Sequence, residues 1–272
     1  MTPKRVLVTG AAGQLGSVIV RAFADVEVIA HTRRTLDICD AAAVARTVAD
    51  AAPDVVINCA AYNDVDGAEE APLPALATNA FAVRTLARAV TDVGAILVHY
   101  GTDFVFDGTA NEPYDETAPP SPRSTYAASK LLGEWFALEV PRAFVLRVES
   151  LFGAPRDWNG RRGTLDGLVA AIEQGREVRV FTDRVVSPTY TADIAAATRH
   201  LLAADATPGV YHCVNAGHGS WADVAREAAA ILGIVPRLVP TTVDQAALRA
   251  SRPPFCALSP PRLAGGRISM PS

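Results

Sequence analysis

Short runs rich in valine, isoleucine and leucine alternate with alanine-rich stretches through residues 1–150. The apolar runs are predicted to be strands at 5–9, 26–30, 55–58, 95–100 and 143–147. The stretches between them have a helical pattern at 14–24, 41–51, 76–90 and 126–138. Near-continuous apolar strands separated by helices are typical of a parallel sheet with helices on both faces. The alternation therefore predicts an α/β fold with a doubly wound parallel sheet.

A glycine array follows the first predicted strand, at the point where the first predicted helix begins. Gly10, Gly13 and Gly16 form a Gly-x-x-Gly-x-x-Gly pattern there. Glycines allow a tight turn and a close backbone approach, and the N-terminus of the helix offers free N–H groups to a pyrophosphate. An ordinary turn is the alternative, but the first strand-to-helix junction of such a fold is where a dinucleotide binds. The array therefore predicts a Rossmann-type dinucleotide site.

The residues about twenty positions further on bear on the choice of cofactor. Where an acidic residue would bind the ribose hydroxyl groups of NAD, this chain has Arg33 and Arg34. Guanidinium groups pair well with a 2′-phosphate, so we predict NADPH in preference to NADH. The alternative is that both arginines are solvated surface residues, and the nearby Asp37 leaves the use of NADH open.

Tyr126 and Lys130 are four residues apart in a predicted helix, which places them on one face of it. Lys4 is the only other lysine of the chain. A free phenol titrates near ~10, and a neighbouring ammonium together with a positively charged nicotinamide favours its ionised form. Thr102 follows the fourth predicted strand by two residues, at the sheet edge where ligands bind. We predict that Tyr126 is a general acid to a ketone beside Thr102; a chance pairing of a half-buried tyrosine with a surface lysine is the alternative.

The helical and strand patterns weaken beyond about residue 153. A glycine- and arginine-rich stretch at 157–163 is followed by predicted helices at 165–174, 192–203 and 221–232, a strand at 178–181 and a looped tail at 252–272. A chain of 272 residues suits one unit with two lobes. We predict a dinucleotide-binding domain at 1–150, to which part of 185–215 returns, and a smaller C-terminal lobe at 151–272 that mainly binds substrate.

Composition and charge exclude several classes of protein. The formal net charge is −4 and the charges are interspersed, which disfavours a nucleic-acid partner. No apolar run approaches the ~20 residues that span a bilayer, and an apolar strand begins at Arg5 where a signal peptide would lie. The four cysteines lack the paired spacing of a zinc or redox site. We therefore predict a cytoplasmic protein without a bound metal or a membrane partner.

Several sequence motifs, taken in order, resemble the dTDP-4-dehydrorhamnose reductase family of the extended short-chain dehydrogenase/reductase superfamily. They are the segment 10–16, Leu36-Asp37-Ile38, the run at 53–62 with Val65-Asp66 and Glu69, Asn79, the segment 102–108, Pro113-Tyr114 with Glu116, the segment 126–130 with Gly133-Glu134, and Ser187-Pro188-Thr189. The resemblance covers nearly the whole chain.

This resemblance implies hydride transfer from NADPH to the 4-keto group of a nucleotide-linked 4-keto-6-deoxysugar, with dTDP as the expected nucleotide. The implied catalytic residues are Thr102, Tyr126 and Lys130. The implied cofactor contacts are Gly10, Gly13, Gln14, Leu15, Arg33, Asp37, Ile38, Ala60, Ala61, Tyr62, Tyr126 and Lys130. The implied substrate contacts are Asp103, Phe104, Ser150 and Arg184. A helix-mediated homodimer suits the fold, although no residue in the sequence supports it.

The chain departs from the family pattern on the substrate side. Ser150 replaces a tryptophan that usually follows the fifth strand, and Glu149 adds a carboxylate just before it. Phe104 stands where a tyrosine is frequent, Arg184 replaces a glutamine, and Cys256 ends a motif that usually ends in serine. These departures leave the identity and configuration of the sugar open.

Three other functions compete with the reductase. A sugar-nucleotide 4,6-dehydratase would carry glutamate where Phe104 stands, so that activity is disfavoured. An epimerase that keeps its NAD bound would use the same three catalytic residues. The regulatory subunit of methionine adenosyltransferase also resembles this family and acts as a binding partner, and the intact Thr102, Tyr126 and Lys130 favour catalysis over that role.

Overall fold

A six-stranded parallel sheet forms the centre of the protein. The computed structural model describes residues 2–155, 158, 160, 163–266 and 268–272. The strands in this part of the chain are β1 (Arg5–Thr9), β2 (Glu27–His31), β3 (Val55–Asn58), β4 (Ile96–Thr102), β5 (Ala143–Val148), β6 (Leu151–Phe152), β7 (Glu177–Phe181), β8 (Val185–Val186), β9 (Thr189–Tyr190), β10 (Gly209–His212), β11 (Gly219–Ser220) and β12 (Arg237–Thr241).

The helices lie between these strands. They are α1 (Gln14–Ala22), α2 (Ala41–Ala51), α3 (Val65–Glu70), α4 (Pro72–Leu76), α5 (Ala82–Asp92), α6 (Thr125–Ala137), α7 (Thr164–Glu173), α8 (Thr191–Ala203), α9 (Trp221–Leu232) and α10 (Pro261–Gly265). A π-helical turn at Ala77–Phe81 joins α4 to α5, and 3₁₀ turns occupy Asp103–Val105 and Asp244–Ala246.

The strand order of the central sheet is β10-β5-β4-β3-β1-β2. The order reverses at β1, because β2 pairs with one edge of β1 and β3 pairs with the other. In open sheets of this kind, ligands bind beyond the carboxyl ends of the strands at such a reversal. The doubly wound α/β prediction is confirmed.

Both faces of the sheet are buried, which explains the continuous apolar runs. Val6 and Val8 of β1 face a core that includes residues of α1 and α8. Leu7 between them faces a second core that includes residues of α2 and α5. Alternate residues of one strand therefore fill two separate cores, because successive side chains of a strand point to opposite faces.

The predicted helices and strands match the structure closely, with informative differences. β4 runs to Thr102, two residues beyond its predicted end, and the predicted helix 76–90 is divided by the π-helical turn before α5. The sequence prediction missed β10, which adds the sixth strand to the sheet beside β5. The tail predicted as loop contains the short helix α10, whose Leu263 is fully buried in the core.

A third apolar cluster lies outside the central sheet. Leu168 and Ile172 of α7 pack there with Trp221 and Ala225 of α9 and Val180 of β7. β7 pairs with β12, and β8 pairs with β11, in separate two-stranded sheets. Across the described residues, no helix is both long enough and apolar enough to traverse a bilayer.

Candidate active site

The turn after β1 requires its glycines for steric reasons. Gly10 has φ +68, and a Cβ added to it would lie 2.6 Å from the backbone nitrogen of Ala60 at the end of β3. A Cβ on Gly16 would collide with the carbonyl oxygen of Gly10. Side chains are therefore excluded where the turn, β3 and α1 meet. The backbone N–H groups at the start of α1 stay open to an anion.

A cleft of about 740 Å³ opens beyond the carboxyl ends of the sheet strands. That volume is in the range of cofactor and ligand pockets. The residues lining it come from the glycine turn (12–16), the end of β3 (58–61), the end of β4 (100–104) and α6 (Tyr126 and Lys130). The second lobe contributes Trp158, Gly163, Thr164, Arg184, Trp221 and Arg252. The cleft therefore lies at the position that the strand order indicates.

Thr102, Tyr126 and Lys130 converge in this cleft, and all three side chains are at least nine-tenths buried. Thr102 is the last residue of β4, and the side chain of Ser124 caps α6 by accepting a hydrogen bond from the Ala127 N–H (3.2 Å). The cap begins the helix where Tyr126 and Lys130 both face the cleft. The Lys130 ammonium donates to the Tyr100 carbonyl oxygen at 2.6 Å.

Burial sets the protonation of both helix residues. It raises the pKa of the Tyr126 phenol well above 10, with a further rise from the Asp103 charge, although a hydrogen bond with Thr102 lowers it. The expectation that Lys130 and a positively charged nicotinamide together favour the ionised phenol stays a prediction. Burial lowers the pKa of Lys130 to about 8. At neutral pH, Tyr126 carries the proton that a general acid must donate, and Lys130 is charged.

The other predicted cofactor contacts fall into three groups. Gly13, Gln14, Leu15, Ala60 and Ala61 line the cleft. Gly10 lies beneath the turn against β3, Tyr62 packs in the apolar cluster that includes Tyr126, and Ile38 is 5% exposed in the core. Arg33, Arg34 and Asp37 are exposed just after β2, outside the lining of the cleft.

Comparison with known proteins places this site in a family. A sequence model described as the RmlD substrate binding domain matches residues 4–266. The chain belongs to this family. A dTDP-4-dehydrorhamnose reductase of Burkholderia thailandensis is 37% identical over 250 residues, which cover 89% of this chain and 83% of that protein. This relationship confirms the resemblance to the dTDP-4-dehydrorhamnose reductases.

Solved structures of relatives agree with the family assignment. The dTDP-4-dehydrorhamnose reductase of Bacillus anthracis, in complex with NADP, superposes with a TM-score of 0.92 at 31% identity, covering 99% of this chain and 95% of that one. The dTDP-4-dehydrorhamnose reductase of Clostridium acetobutylicum superposes with a TM-score of 0.91 at 34% identity, covering 98% and 95%.

The four predicted substrate contacts lie in the cleft, and three of them are departures from the family pattern. Asp103, Phe104, Ser150 and Arg184 all line it. The Phe104 ring meets the Tyr126 ring edge-on at 5.8 Å, and the Arg184 guanidinium lies 5.4 Å from the centre of the Phe104 ring. Glu149 does not line the cleft: it is 2% exposed, and its Oε2 accepts a hydrogen bond from the Ser187 N–H at 2.9 Å.

The sequence prediction assigned no role to two contacts that hold the site together. Asn79 accepts from the Tyr62 N–H at 2.8 Å and donates to the Ser129 hydroxyl of α6 at 3.0 Å. Gln14 donates to Asp166 of α7 at 3.0 Å, which ties the glycine turn to the second lobe. All three bonds join residues far apart in the chain, so only the folded arrangement could reveal them. The predicted glycine- and arginine-rich stretch 157–163 falls largely outside the described residues.

Proposed function

We propose that this protein is an oxidoreductase that transfers hydride from NADPH to the 4-keto group of a nucleotide-linked 4-keto-6-deoxysugar, with dTDP as the favoured nucleotide. One observation carries the proposal: Thr102, Tyr126 and Lys130 meet in one cleft beside the glycine turn. The relatives named dTDP-4-dehydrorhamnose reductase support the substrate class.

The glycine turn fits a dinucleotide. Backbone atoms occupy the places of a Cβ at Gly10 and Gly16, so the turn packs tightly and carries no side chain at these two positions, next to the N-terminus of α1. Gly13, Gln14 and Leu15 would lie against the pyrophosphate at the start of α1. When bound, the cofactor supplies the hydride. The NADP complex of the Bacillus anthracis relative supports this choice of cofactor.

The side chains of the cleft would then complete the reduction. Tyr126 donates its phenol proton to the oxygen of the substrate, and the Thr102 hydroxyl forms a hydrogen bond with the same oxygen. The Lys130 ammonium, fixed by the Tyr100 carbonyl oxygen, lies where it would hold the nicotinamide ribose. Asp103, Phe104, Ser150 and Arg184 would contact the sugar or its nucleotide.

We also propose a role for each of the two lobes and a cellular location for the protein. We assign cofactor binding mainly to 1–150, with part of 185–215 returning to it, and substrate binding mainly to 151–272. β10 belongs to the central sheet, and α8 packs in the core on one face of it. Both observations support the assignment of part of 185–215 to the cofactor-binding domain. We place the protein in the cytoplasm, because its four cysteines are free, as in a reducing compartment. Its relatives are named as a dTDP-4-dehydrorhamnose reductase and a spore coat polysaccharide biosynthesis protein, which agrees with this placement.

The experiment that tests the proposed activity follows NADPH oxidation against a panel of nucleotide-linked 4-keto-6-deoxysugars. We expect turnover with at least one dTDP-linked member. Cofactor binding without turnover on any member would contradict the reductase and favour a non-catalytic, NADP-binding partner protein.

We expect the value of kcat/KM for NADPH to exceed that for NADH, because Arg33 and Arg34 are exposed just beyond β2, where the 2′-phosphate would lie. Replacing Arg33 with alanine should reduce this preference by about tenfold or more, since hydrogen bonds to charged groups contribute about 1.5–3 kcal/mol. Arg88→Ala, which changes an exposed arginine of α5, is the matched control. A clear preference of the wild type for NADH would contradict this assignment.

We also propose that the protein is a homodimer. Phe81 and Trp135 are 53% and 59% exposed on neighbouring segments, and Phe81 contacts Phe136 of α6. Exposed large apolar side chains of this kind mark protein interfaces. Sedimentation equilibrium should give twice the chain mass for the wild type and a single chain mass for Trp135→Glu. A monomeric wild type would contradict the dimer.

A further inference from the structure

Three ionisable side chains meet in the interior beside Thr102. Asp103, Glu149 and Cys256 are each less than 5% exposed, and one oxygen or sulfur atom of each lies within 4.8 Å of the others. They come from the turn after β4, from the residue after β5 and from the C-terminal tail. The activity proposed above assigns no role to Glu149 or Cys256.

Each of the two carboxyl groups has one oxygen that accepts a hydrogen bond and one that does not. Asp103 Oδ1 accepts from the Thr102 hydroxyl at 3.0 Å, and Glu149 Oε2 accepts from the Ser187 N–H at 2.9 Å. The remaining oxygens, Asp103 Oδ2 and Glu149 Oε1, are buried and have no hydrogen-bond partner. Two buried carboxyl groups this close cannot both be ionised without a large penalty, whereas one shared proton relieves it.

The charges that face the two carboxyl groups also indicate that the pair holds one proton. Arg184 is the cation beside it and lowers the pKa of both carboxyl groups. Burial raises the pKa of Asp103 to about 6 and that of Glu149 well above its ordinary value, and the Asp103 charge raises the pKa of Glu149 further. Burial likewise raises the pKa of the Cys256 thiol, so that group stays neutral. One guanidinium is therefore balanced by one carboxylate, and Arg184 disfavours a metal ion at these three residues.

Thr102 connects this pair to the phenol. Its hydroxyl donates to Asp103 at 3.0 Å, and Thr102, Asp103 and Tyr126 line the same cleft. Thr102 lowers the pKa of the Tyr126 phenol and the Asp103 charge raises it. We propose that Asp103 and Glu149 hold one proton between them and that the Thr102 hydroxyl passes this proton to Tyr126 during turnover. The storage of the proton is independent of the substrate, whereas its transfer rests on the proposed reductase activity.

The transfer balances in protons and bonds. The phenol O–H bond of Tyr126 breaks as the O–H bond of the product alcohol forms. The Thr102 hydroxyl, which donates to Asp103 Oδ1 at rest, then turns its hydrogen to the phenolate oxygen and transfers it, while the shared proton, carried at that moment by Asp103, moves to the Thr102 oxygen. The pair regains one proton from water through the cleft, which Asp103 lines. Each alcohol formed therefore takes up one proton from solvent.

The pH dependence of kcat tests the transfer, because this profile reports groups in the enzyme–substrate complex, whereas kcat/KM reports the free enzyme, including Lys130. In Glu149→Gln, Asp103 faces Arg184 alone and loses its proton at lower pH. We expect the alkaline limb of kcat to move to lower pH by at least about one unit, with the acidic plateau retained. Cys256→Ser, which changes the neutral member of the cluster, should leave the limb in place. An equal loss of kcat at every pH would overturn the relay.

Infrared spectroscopy of the protein tests the stored proton without any substrate. The wild type and Cys256→Ser should show the C=O band of a protonated carboxylic acid at neutral pH, and Glu149→Gln should lose it. Glu149→Ser serves as a second variant if Glu149→Gln fails to fold. A folded wild type without the band, or a band that both Glu149 variants retain, would overturn the shared proton. If the band behaves as expected while no sugar is reduced, the proposed function fails and the shared proton stands.

Discussion

Replacing Tyr126 with phenylalanine is expected to lower kcat by about 10²- to 10⁴-fold, the usual contribution of a positioned general acid. The phenol lines the same cleft as Thr102, and its raised pKa keeps the proton in place at neutral pH. Phenylalanine keeps the ring that packs edge-on against Phe104 at 5.8 Å and removes only the hydroxyl. The substitution therefore removes the proton donor and keeps the contact between the two rings.

Two measurements separate this effect from a structural one. The Kd of the variant for NADPH, measured by fluorescence titration, should stay close to the wild-type value, because the glycine turn and Lys130 are unchanged. Tyr114→Phe is the matched control: it removes a phenol that donates to Asp107 at 3.0 Å, outside the lining of the cleft. Its kcat should remain near that of the wild type. Near-normal turnover by Tyr126→Phe would remove Tyr126 from its proposed role.

Local rules were sufficient to predict five of the six strands of the central sheet and the convergence of Thr102, Tyr126 and Lys130. Tyr126 and Lys130 share a helix face because their four-residue spacing is close to one turn. Thr102 joins them because the carboxyl ends of parallel strands meet at one edge of a sheet. Gly10 was predicted from its place after the first strand, and its positive φ and contact with the end of β3 give the physical reason. Each prediction used residues close together in sequence or a rule of topology.

Long-range contacts account for what the sequence could not reveal. β10 has four residues and begins at Gly209, and its strand character depends on pairing with β5. The sequence identified Glu149 and Cys256 as departures from the family pattern but could not place them together. Their contact requires the tail to run beside β8, where the Cys256 N–H donates to the Val185 carbonyl oxygen at 2.9 Å. No sequence motif predicts that the C-terminal tail packs beside β8.

Loss of the buried ion pair beneath the site should have the largest effect on stability. Arg147 of β5 and Glu134 of α6 are 5% and 1% exposed in their side chains, and Nη2 of Arg147 lies 2.9 Å from Oε2 of Glu134. A Cβ on Gly101 would collide with the Glu134 carboxylate, so the glycine makes room for the pair under the end of β4. Arg147→Met should lower the free energy of unfolding by about 3–5 kcal/mol, because it leaves a buried carboxylate without its partner.

Urea unfolding of three variants decides whether the lost charge or the lost packing is responsible. In the wild type, burial and the Arg147 charge lower the pKa of His212 to about 3, so Arg147 and not His212 is the cation beside Glu134. The double variant Arg147→Met/Glu134→Gln should therefore be more stable than Arg147→Met, because it removes the unpaired charge. Arg226→Met, at an ion pair whose side chains are 62% and 61% exposed, should change stability little. If Arg147→Met unfolds at the same urea concentration as Arg226→Met, the pair does not stabilise the end of β4.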